Sequence, residues 1–211
     1  MDQGPRFVLG IDLDGVCADF INGLRPIAAE WLGVDISDLT ESPSYGFTEW
    51  NLSEVGGKDA YEHLHRYAIT QRDLFQELPI IPGSGVAIRR LSHKYGVRVR
   101  IITHRLWIQH FHETAVQQTT KWLDVHDIPY YDLCFMRDKA AVGADLYVED
   151  SPDNISALKE AGKDVIIFSN STNSFLPGDR ADNWLEVERL VLQRLDSWTQ
   201  AGGPERELSG T

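Results

Sequence analysis

Apolar residues follow two rhythms along the chain. The run Phe7-Val8-Leu9-Gly10-Ile11 is bounded by polar residues and is too short for a helix, so it predicts a buried β-strand. From Asp19 to Leu32 the spacing of Phe20, Leu24, Ile27 and Trp31 predicts a helix, with Pro26 as a point of breakage or restart and Gly33 as its end. Ser42 to Asn51 (SPSYGFTEWN) is turn-rich and aromatic. A second helix is predicted over about Lys58 to Arg72, with Tyr61, Leu64, His65 and Ala68 on one stripe. Through Leu78 nothing reads as a strand.

From Pro82-Gly83 onward helix and strand alternate. Helices are expected over about Gly85–Tyr95 (closed by Gly96), Phe111–Val125, Asn154–Ala161 and Trp184–Trp198. The intervening strands are Val97–Thr103, Leu133–Met136, Leu146–Val148 and Val165–Phe168. Repeated β-α units imply an α/β fold with a mostly parallel sheet covered on both faces. The helical block then interrupts it after the first strand. This divides the chain into a discontinuous core, 1–19 and 81–211, and a helical insertion, 20–80, with 202–211 as a loose tail.

Length and charge narrow the possibilities. At 211 residues the chain can bury a sizeable core in one domain or two. Its net charge of -12 argues against a basic face for wrapping a nucleic-acid polymer. It leaves room for a small phosphoester held by a local positive pocket or a metal. The five apolar residues before Asp12 make neither a signal peptide nor a membrane span. Cys17 and Cys134 have no CxxC spacing, so a disulfide scaffold and a zinc ribbon are not expected and a reducing cytoplasm is.

Candidate chemistry gathers at strand ends. The first strand ends in Asp12 and Asp14, followed by Gly15; two unit charges ~4 Å apart repel by roughly 4 kcal/mol at an effective dielectric of ~20, which calls for a cation, a shared proton or chemistry. The VRVRIIT strand ends in Thr103, then His104 and Arg105. The LYV strand leads to Glu149 and Asp150, then Ser151-Pro152-Asp153-Asn154, and Arg137-Asp138-Lys139 follows the Leu133 strand. In a parallel sheet all four groups face one edge, where ligands bind. Carboxylates, a hydroxyl and a lysine together suit magnesium-dependent phosphoryl transfer.

Blander readings stand beside these. The aspartates could form an Asx turn, Thr103 a plain strand-end residue and Lys139 a solvated one. Val16 stands where a calcium loop needs a third oxygen ligand, and no GxxxxGK[ST] loop exists. Asp153 or Asn154 reads as a helix N-cap. The pairs His63/His65 and His110/His112 have i, i+2 spacing, which points to surface roles. His104 is open between substrate contact and bystander, and Cys17 is expected to be buried.

DLDGV after an apolar strand, then Thr103, Lys139 and VEDSPDN in that order, resembles the four motifs of the haloacid dehalogenase-like phosphohydrolases. More narrowly, IDLDGVCADF, QELPIIPG, MRDK and ADLYVEDSPDN resemble the 5'(3')-deoxyribonucleotidase branch, over most of residues 7 to 200. The resemblance implies a Rossmann-like core with a small helical cap over residues 20–80. It makes Asp12 the nucleophile that forms an aspartyl-phosphate, and Asp14 the acid and base for the leaving nucleoside oxygen and the attacking water. It assigns Mg2+ to Asp12, the Asp14 main-chain carbonyl and Asp150, with Glu149 behind the metal. Phosphate binding falls to Thr103, His104 and Lys139. Phe20, Tyr45, Phe47 and Phe75 become candidates for stacking on a base, Trp50 less so, and Arg137 another substrate contact. Two departures stand out: Thr103-His104-Arg105 replaces the common Thr-Ser-Pro, and Glu149-Asp150 replaces paired aspartates.

The implied activity is hydrolysis of nucleoside monophosphates, with deoxyribonucleotides favoured. Alternatives are a phosphatase for another small phosphoester such as a sugar phosphate, a phosphorylatable receiver, or a non-catalytic binding protein of the same fold. No polymer or membrane partner is expected, and a homodimer is left open.

Overall fold

The computed structural model describes residues 6–107 and 111–202; His110 and the residues beyond 202 lie outside that range. In chain order the elements are β1 (Val8–Ile11), α1 (Phe20–Leu32), α2 (Ser53–Gly56), α3 (Ala60–Arg72), α4 (Leu74–Glu77), α5 (Ser84–Tyr95) and β2 (Arg98–Thr103). Then come α6 (His112–Val125), β3 (Asp132–Phe135), β4 (Leu146–Glu149), α7 (Pro152–Glu160), β5 (Val165–Phe168), β6 (Arg180–Ala181) and α8 (Trp184–Gln200). The described strands form one sheet in the order β3-β2-β1-β4-β5-β6, and every neighbouring pair is parallel. The two-residue β6 escapes a sequence reading because it is too short to show alternation.

Alternation along the strands sorts the core. Leu9, Ile11, Val99, Ile101, Leu146, Val148, Ile166 and Phe168 point to the face that α5 and α8 cover. Their neighbours Ile102, Tyr147, Val165 and Ile167 point to the other, where Ile155 and Leu158 of α7 meet them. Side chains alternate across a strand, so each strand serves both faces. Arg98 and Arg100, which interrupt the apolar pattern of β2, both bind the Asp132 carboxylate on β3 at 2.9–3.1 Å.

Between β1 and α5 the chain is helix, turn and loop apart from isolated bridges at Asp14, Ala18 and Ile80. Asp19 caps α1 by accepting from the Asn22 amide at 3.3 Å, and Gly33 closes it in the left-handed region. The helix runs unbroken through Pro26. Pro26 and Asn22, whose carbonyl loses its partner there, both lie on the exposed side, so water can serve that carbonyl. The predicted helix from Lys58 begins later, at Ala60, after a 3-10 turn over Gly57–Asp59.

This block enters and leaves the sheet side by side. Asp19 N–H donates to the Pro79 carbonyl at 2.8 Å and Ile81 N–H to the Cys17 carbonyl at 2.7 Å, with Ala18 bridged antiparallel to Ile80. From the core side α6 grips it. Trp122 Nε1 donates to the Leu78 carbonyl at 2.7 Å, and Gln118 Nε2 to the Ile69 carbonyl at 2.9 Å. Its buried residues, among them Leu24, Leu64 and Phe75, join the sheet's own apolar cluster. Cys17 is fully buried there. Among the described residues no helix is long and apolar enough to cross a membrane.

Candidate active site

The strand order reverses direction at β1, which lies between β2 and β4. Crevices at such switch points collect ligands beyond the carboxyl ends of strands. Here the ends of β1, β2 and β4 deliver Asp12, Thr103 and Glu149-Asp150 to one edge, and the loop after β3 adds Lys139. Asp12, Thr103, Lys139 and Asp150 line a cavity of about 540 Å³.

Lys139 is the hub of the charged floor. It is buried, and its Nζ lies 2.8 Å from Asp12 Oδ1 and 2.6 Å from Glu149 Oε2. Burial alone would lower its pKa; the two carboxylates outweigh that and hold the ammonium above its ordinary value. The other Glu149 oxygen accepts from the Ser151 amide at 3.1 Å and Asn154 Nδ2 at 3.3 Å. Glu149 is therefore occupied from both sides and nearly sealed.

Asp12 and Asp150 carry the opposite strain. Burial pushes the Asp12 carboxyl well above the carboxylate range, reinforced by Glu149 and opposed by Lys139. Burial, then the Glu149 charge, raises Asp150 to about 8. Oxygens of Asp12, Glu149 and Asp150 lie within 4.8 Å of one another. One lysine beside the buried Asp12 and Glu149 and the half-buried Asp150 leaves negative charge uncompensated, and an all-oxygen set is what a hard divalent cation prefers. The residues present therefore fit such an ion. Gly15 makes the close approach feasible: its φ is +81°, and a Cβ there would lie 1.9 Å from Asp150 Oδ2.

Asp14 points elsewhere. Arg105, only 3% exposed, clasps its carboxylate in a fork, with Nη2 2.6 Å from Oδ1 and Nε 2.9 Å from Oδ2. The guanidinium is fixed in turn by the Thr119 hydroxyl at 3.2 Å and by the Phe75 ring, whose centroid is 4.3 Å from Arg105 Cζ. Sequence reasoning missed Arg105. An arginine directly after His104 gave no signal that it would turn inward. Thr103 is fully buried, and its Oγ1 has no partner among the described residues. His104 is half-buried on the cavity wall, its pKa lowered by burial and then by Lys139 and Arg137. Arg137 is exposed at the rim.

The upper wall is aromatic. Phe20, Tyr45, Phe47 and Phe75 all line the cavity. One face of Phe75 is already taken by Arg105. Trp50 does not line it; it is buried, with Nε1 donating to the Thr40 carbonyl at 3.0 Å. Tyr61, His65 and Trp107 join the wall and were not among the predicted contacts. His65 corrects the surface reading, since it is 6% exposed between Tyr61, Phe20, Phe75 and Trp107, whereas His63 and His112 are exposed. The helical stripe Tyr61-Leu64-His65-Ala68 carried this signal; the i, i+2 pairing with His63 obscured it. Asp153 and Asn154 are also not N-caps. Pro152 opens α7 after Ser151, Asn154 binds Glu149, and Asp153 accepts from the Tyr45 hydroxyl at 2.9 Å.

Burial lowers the His65 pKa to about 4, with Asp14 pulling it up and Arg105 pushing it down. The folded protein thus resists a proton that the unfolded chain accepts near its ordinary value of 6.5. Stability from this site is complete above pH ~6.5 and is lost as pH falls towards ~4. At ~1.4 kcal/mol per unit the loss is about 3 kcal/mol. Urea unfolding of wild type and His65→Phe should diverge by that amount between pH 7 and 4. Parallel pH profiles would refute the buried neutral imidazole.

The family model described as 5' nucleotidase, deoxy (pyrimidine), cytosolic type C matches residues 6–196. A Chlorobaculum tepidum protein, provisionally named 5'(3')-deoxyribonucleotidase, is 50% identical over 184 residues, covering 87% of this chain and 89% of that one. The mouse mitochondrial 5'(3')-deoxyribonucleotidase is 26% identical over 195 residues, covering 86% of this chain and 83% of the other. Among solved structures, a haloacid dehalogenase-like hydrolase from Streptococcus pneumoniae superposes with a TM-score of 0.60 at 15% identity, over 88% of this chain and 98% of that one. A predicted phosphoglycolate phosphatase from Haemophilus somnus gives a TM-score of 0.57 at 11% identity, over 90% of this chain and all of the other. At these identities the structural matches speak to the fold.

Proposed function

The chain belongs to the 5' nucleotidase, deoxy (pyrimidine), cytosolic type C family, and from that membership we propose how its own residues carry out phosphomonoester hydrolysis. It is a hydrolase of nucleoside monophosphates on a haloacid dehalogenase-like fold. The observation that best supports the residue roles is the pairing of opposites at one sheet edge: a lysine bridging two buried acids, beside a buried threonine hydroxyl with no partner among the described residues.

Asp12 attacks phosphorus as the nucleophile, and an aspartyl-phosphate forms as the nucleoside oxygen departs. Lys139 stays within reach of the attacking carboxylate and offsets charge gathering on the phosphoryl oxygens. Thr103 Oγ1 donates to one of those oxygens, which gives the sealed hydroxyl its partner. Asp14, protonated on an oxygen that has left the Arg105 fork, gives that proton to the departing oxygen and then takes one from the water that cleaves the intermediate. His104 and Arg137 add positive character at the rim. Asp12, the Asp14 main-chain carbonyl and Asp150 would hold Mg2+, with Glu149 behind them bracing Lys139. When bound, the ion supplies positive charge for the phosphate oxygens.

Residues 20–80 act as the cap. Phe20, Phe47 and Tyr61 offer ring surface beside Asp14 for a base, and stacking of this kind is worth ~1–3 kcal/mol per base. A deoxyribonucleoside monophosphate is the substrate this wall favours over a sugar phosphate, which has no flat ring to stack.

Phosphate release from 5'- and 3'-deoxyribonucleotides, ribonucleotides and sugar phosphates tests the reading. Protein stripped with EDTA should lose activity by at least ~10²-fold and regain it with Mg2+, and Mg2+ alone should raise the melting temperature by relieving the buried acids. Brisk turnover of sugar phosphates with none of nucleotides would sink the substrate assignment. Full activity in EDTA, with no thermal shift, would remove the metal.

A further inference from the structure

The segment after β5 reads in sequence as a polar loop, Ser169-Asn170-Ser171-Thr172-Asn173, and none of it entered the predicted site. It grips Asp150 twice. Asn173 Nδ2 donates to the Asp150 main-chain carbonyl at 2.8 Å and also to the Phe168 carbonyl at 2.8 Å. Asn173 Oδ1 accepts from Arg180 Nη1 on β6 at 3.1 Å, which ties the loop to the sheet edge. Asn170 Nδ2 donates to Asp150 Oδ2 at 2.8 Å.

The orientation of the Asn170 amide is fixed by what holds its other end. Its Oδ1 accepts from the Thr172 amide at 2.9 Å and from the Thr172 hydroxyl at 2.7 Å. A backbone N–H can donate only to the oxygen, so the NH2 group must face Asp150. The same Asp150 oxygen is the one pressed against Gly15, where a Cβ would lie 1.9 Å away. Oδ2 is thus the oxygen that Asn170 holds, and among the described residues no hydrogen bond engages Oδ1.

We propose that Asn170, oriented by Thr172, is a positioning residue that presents a single oxygen of Asp150 to the divalent cation. It rests on the metal reading above but goes beyond it, because Asn170 touches neither substrate nor the reacting atoms. Hydrogen-bond partners of ligating carboxylates typically control metal affinity by ~10–100-fold.

The test uses the full chain and Mg2+ alone, with binding followed by calorimetry and by thermal shift in the absence of substrate. Asn170→Leu keeps the volume and removes both sets of bonds; its Mg2+ Kd should rise ~10–100-fold. Its Mg2+ activation constant should rise in parallel, with kcat recovered at saturating Mg2+, a split that general misfolding does not produce. Thr172→Val removes one of the two donors that orient the amide and should shift Kd in the same direction by roughly 3-fold, which keeps the idea testable should Asn170→Leu fold poorly. If wild type binds Mg2+ and both variants bind it equally well, the positioning role is wrong and the nucleotidase reading survives. If wild type shows no Mg2+ response by either method, the metal reading falls and takes this inference with it.

Discussion

Asp12→Asn should lower phosphate release by at least ~10⁴-fold while leaving the fold in place. The amide cannot attack phosphorus, and removal of a residue that makes the covalent bond commonly costs this much or more. The folded protein should tolerate the change. Asp12 is a buried acid whose charge is disfavoured by burial and by Glu149. Lys139 keeps its 2.6 Å contact to Glu149 when Asp12 is neutralised. Unfolding free energy should therefore stay within ~1 kcal/mol of wild type. Acid quenching during turnover of a radiolabelled nucleotide should trap label on the wild-type chain and none on the variant. A variant that turns over within tenfold of wild type, or still traps label, would move the nucleophile elsewhere.

Lys139→Met should damage stability and catalysis together. With the ammonium gone, Asp12 and Glu149 are left facing each other without their shared partner, 9% and 2% exposed in their side chains. Removing one partner from a buried ion pair typically costs 3–5 kcal/mol, a large part of the ~5–15 kcal/mol that holds most domains together. Methionine fills the aliphatic space but not the charge. Turnover should fall by ~10²–10³-fold, the usual consequence of deleting a buried donor aimed at developing negative charge. Denaturant titration of the purified variant reads the first effect and initial rates at saturating Mg2+ read the second. A variant as stable as wild type would mean that the two acids are neutral in the fold and that Lys139 is not their counterion.

The sheet was legible in the sequence because its strands are short apolar runs between helices of clear period. Their boundaries shifted by only a residue or two; β4, for instance, extends to Glu149. The acids at strand ends were legible because they fell in order with Thr103 and Lys139; Asp12 and Asp14 alone read equally well as an Asx turn. What escaped depends on side chains turning back into the fold. Arg105 reads as a surface charge until Asp14, Thr119 and Phe75 are seen around it. His65 was discounted by its spacing from His63, although its helical stripe pointed inward. Asn170 and Asn173 look like ordinary turn residues, and only the return of β6 through Arg180 shows what they hold. Trp50 misled in the other direction, an aromatic in the right segment whose indole is spent on Thr40.

The hydrogen-bonded crossing at Cys17–Asp19 and Pro79–Ile81 has a consequence for how such a protein can change over generations. Because the two ends of the intervening sixty or so residues meet, that stretch is spliced in at a single locus, and β1 still pairs directly with β2 on one side and β4 on the other. Insertions whose ends lie close together are the kind a scaffold tolerates best. Lengthening, shortening or replacing the stretch need not separate Asp12 from Thr103 or Asp150. Under the proposed roles, ancestry can preserve the edge that carries Asp12 while trading the stretch proposed as its cap.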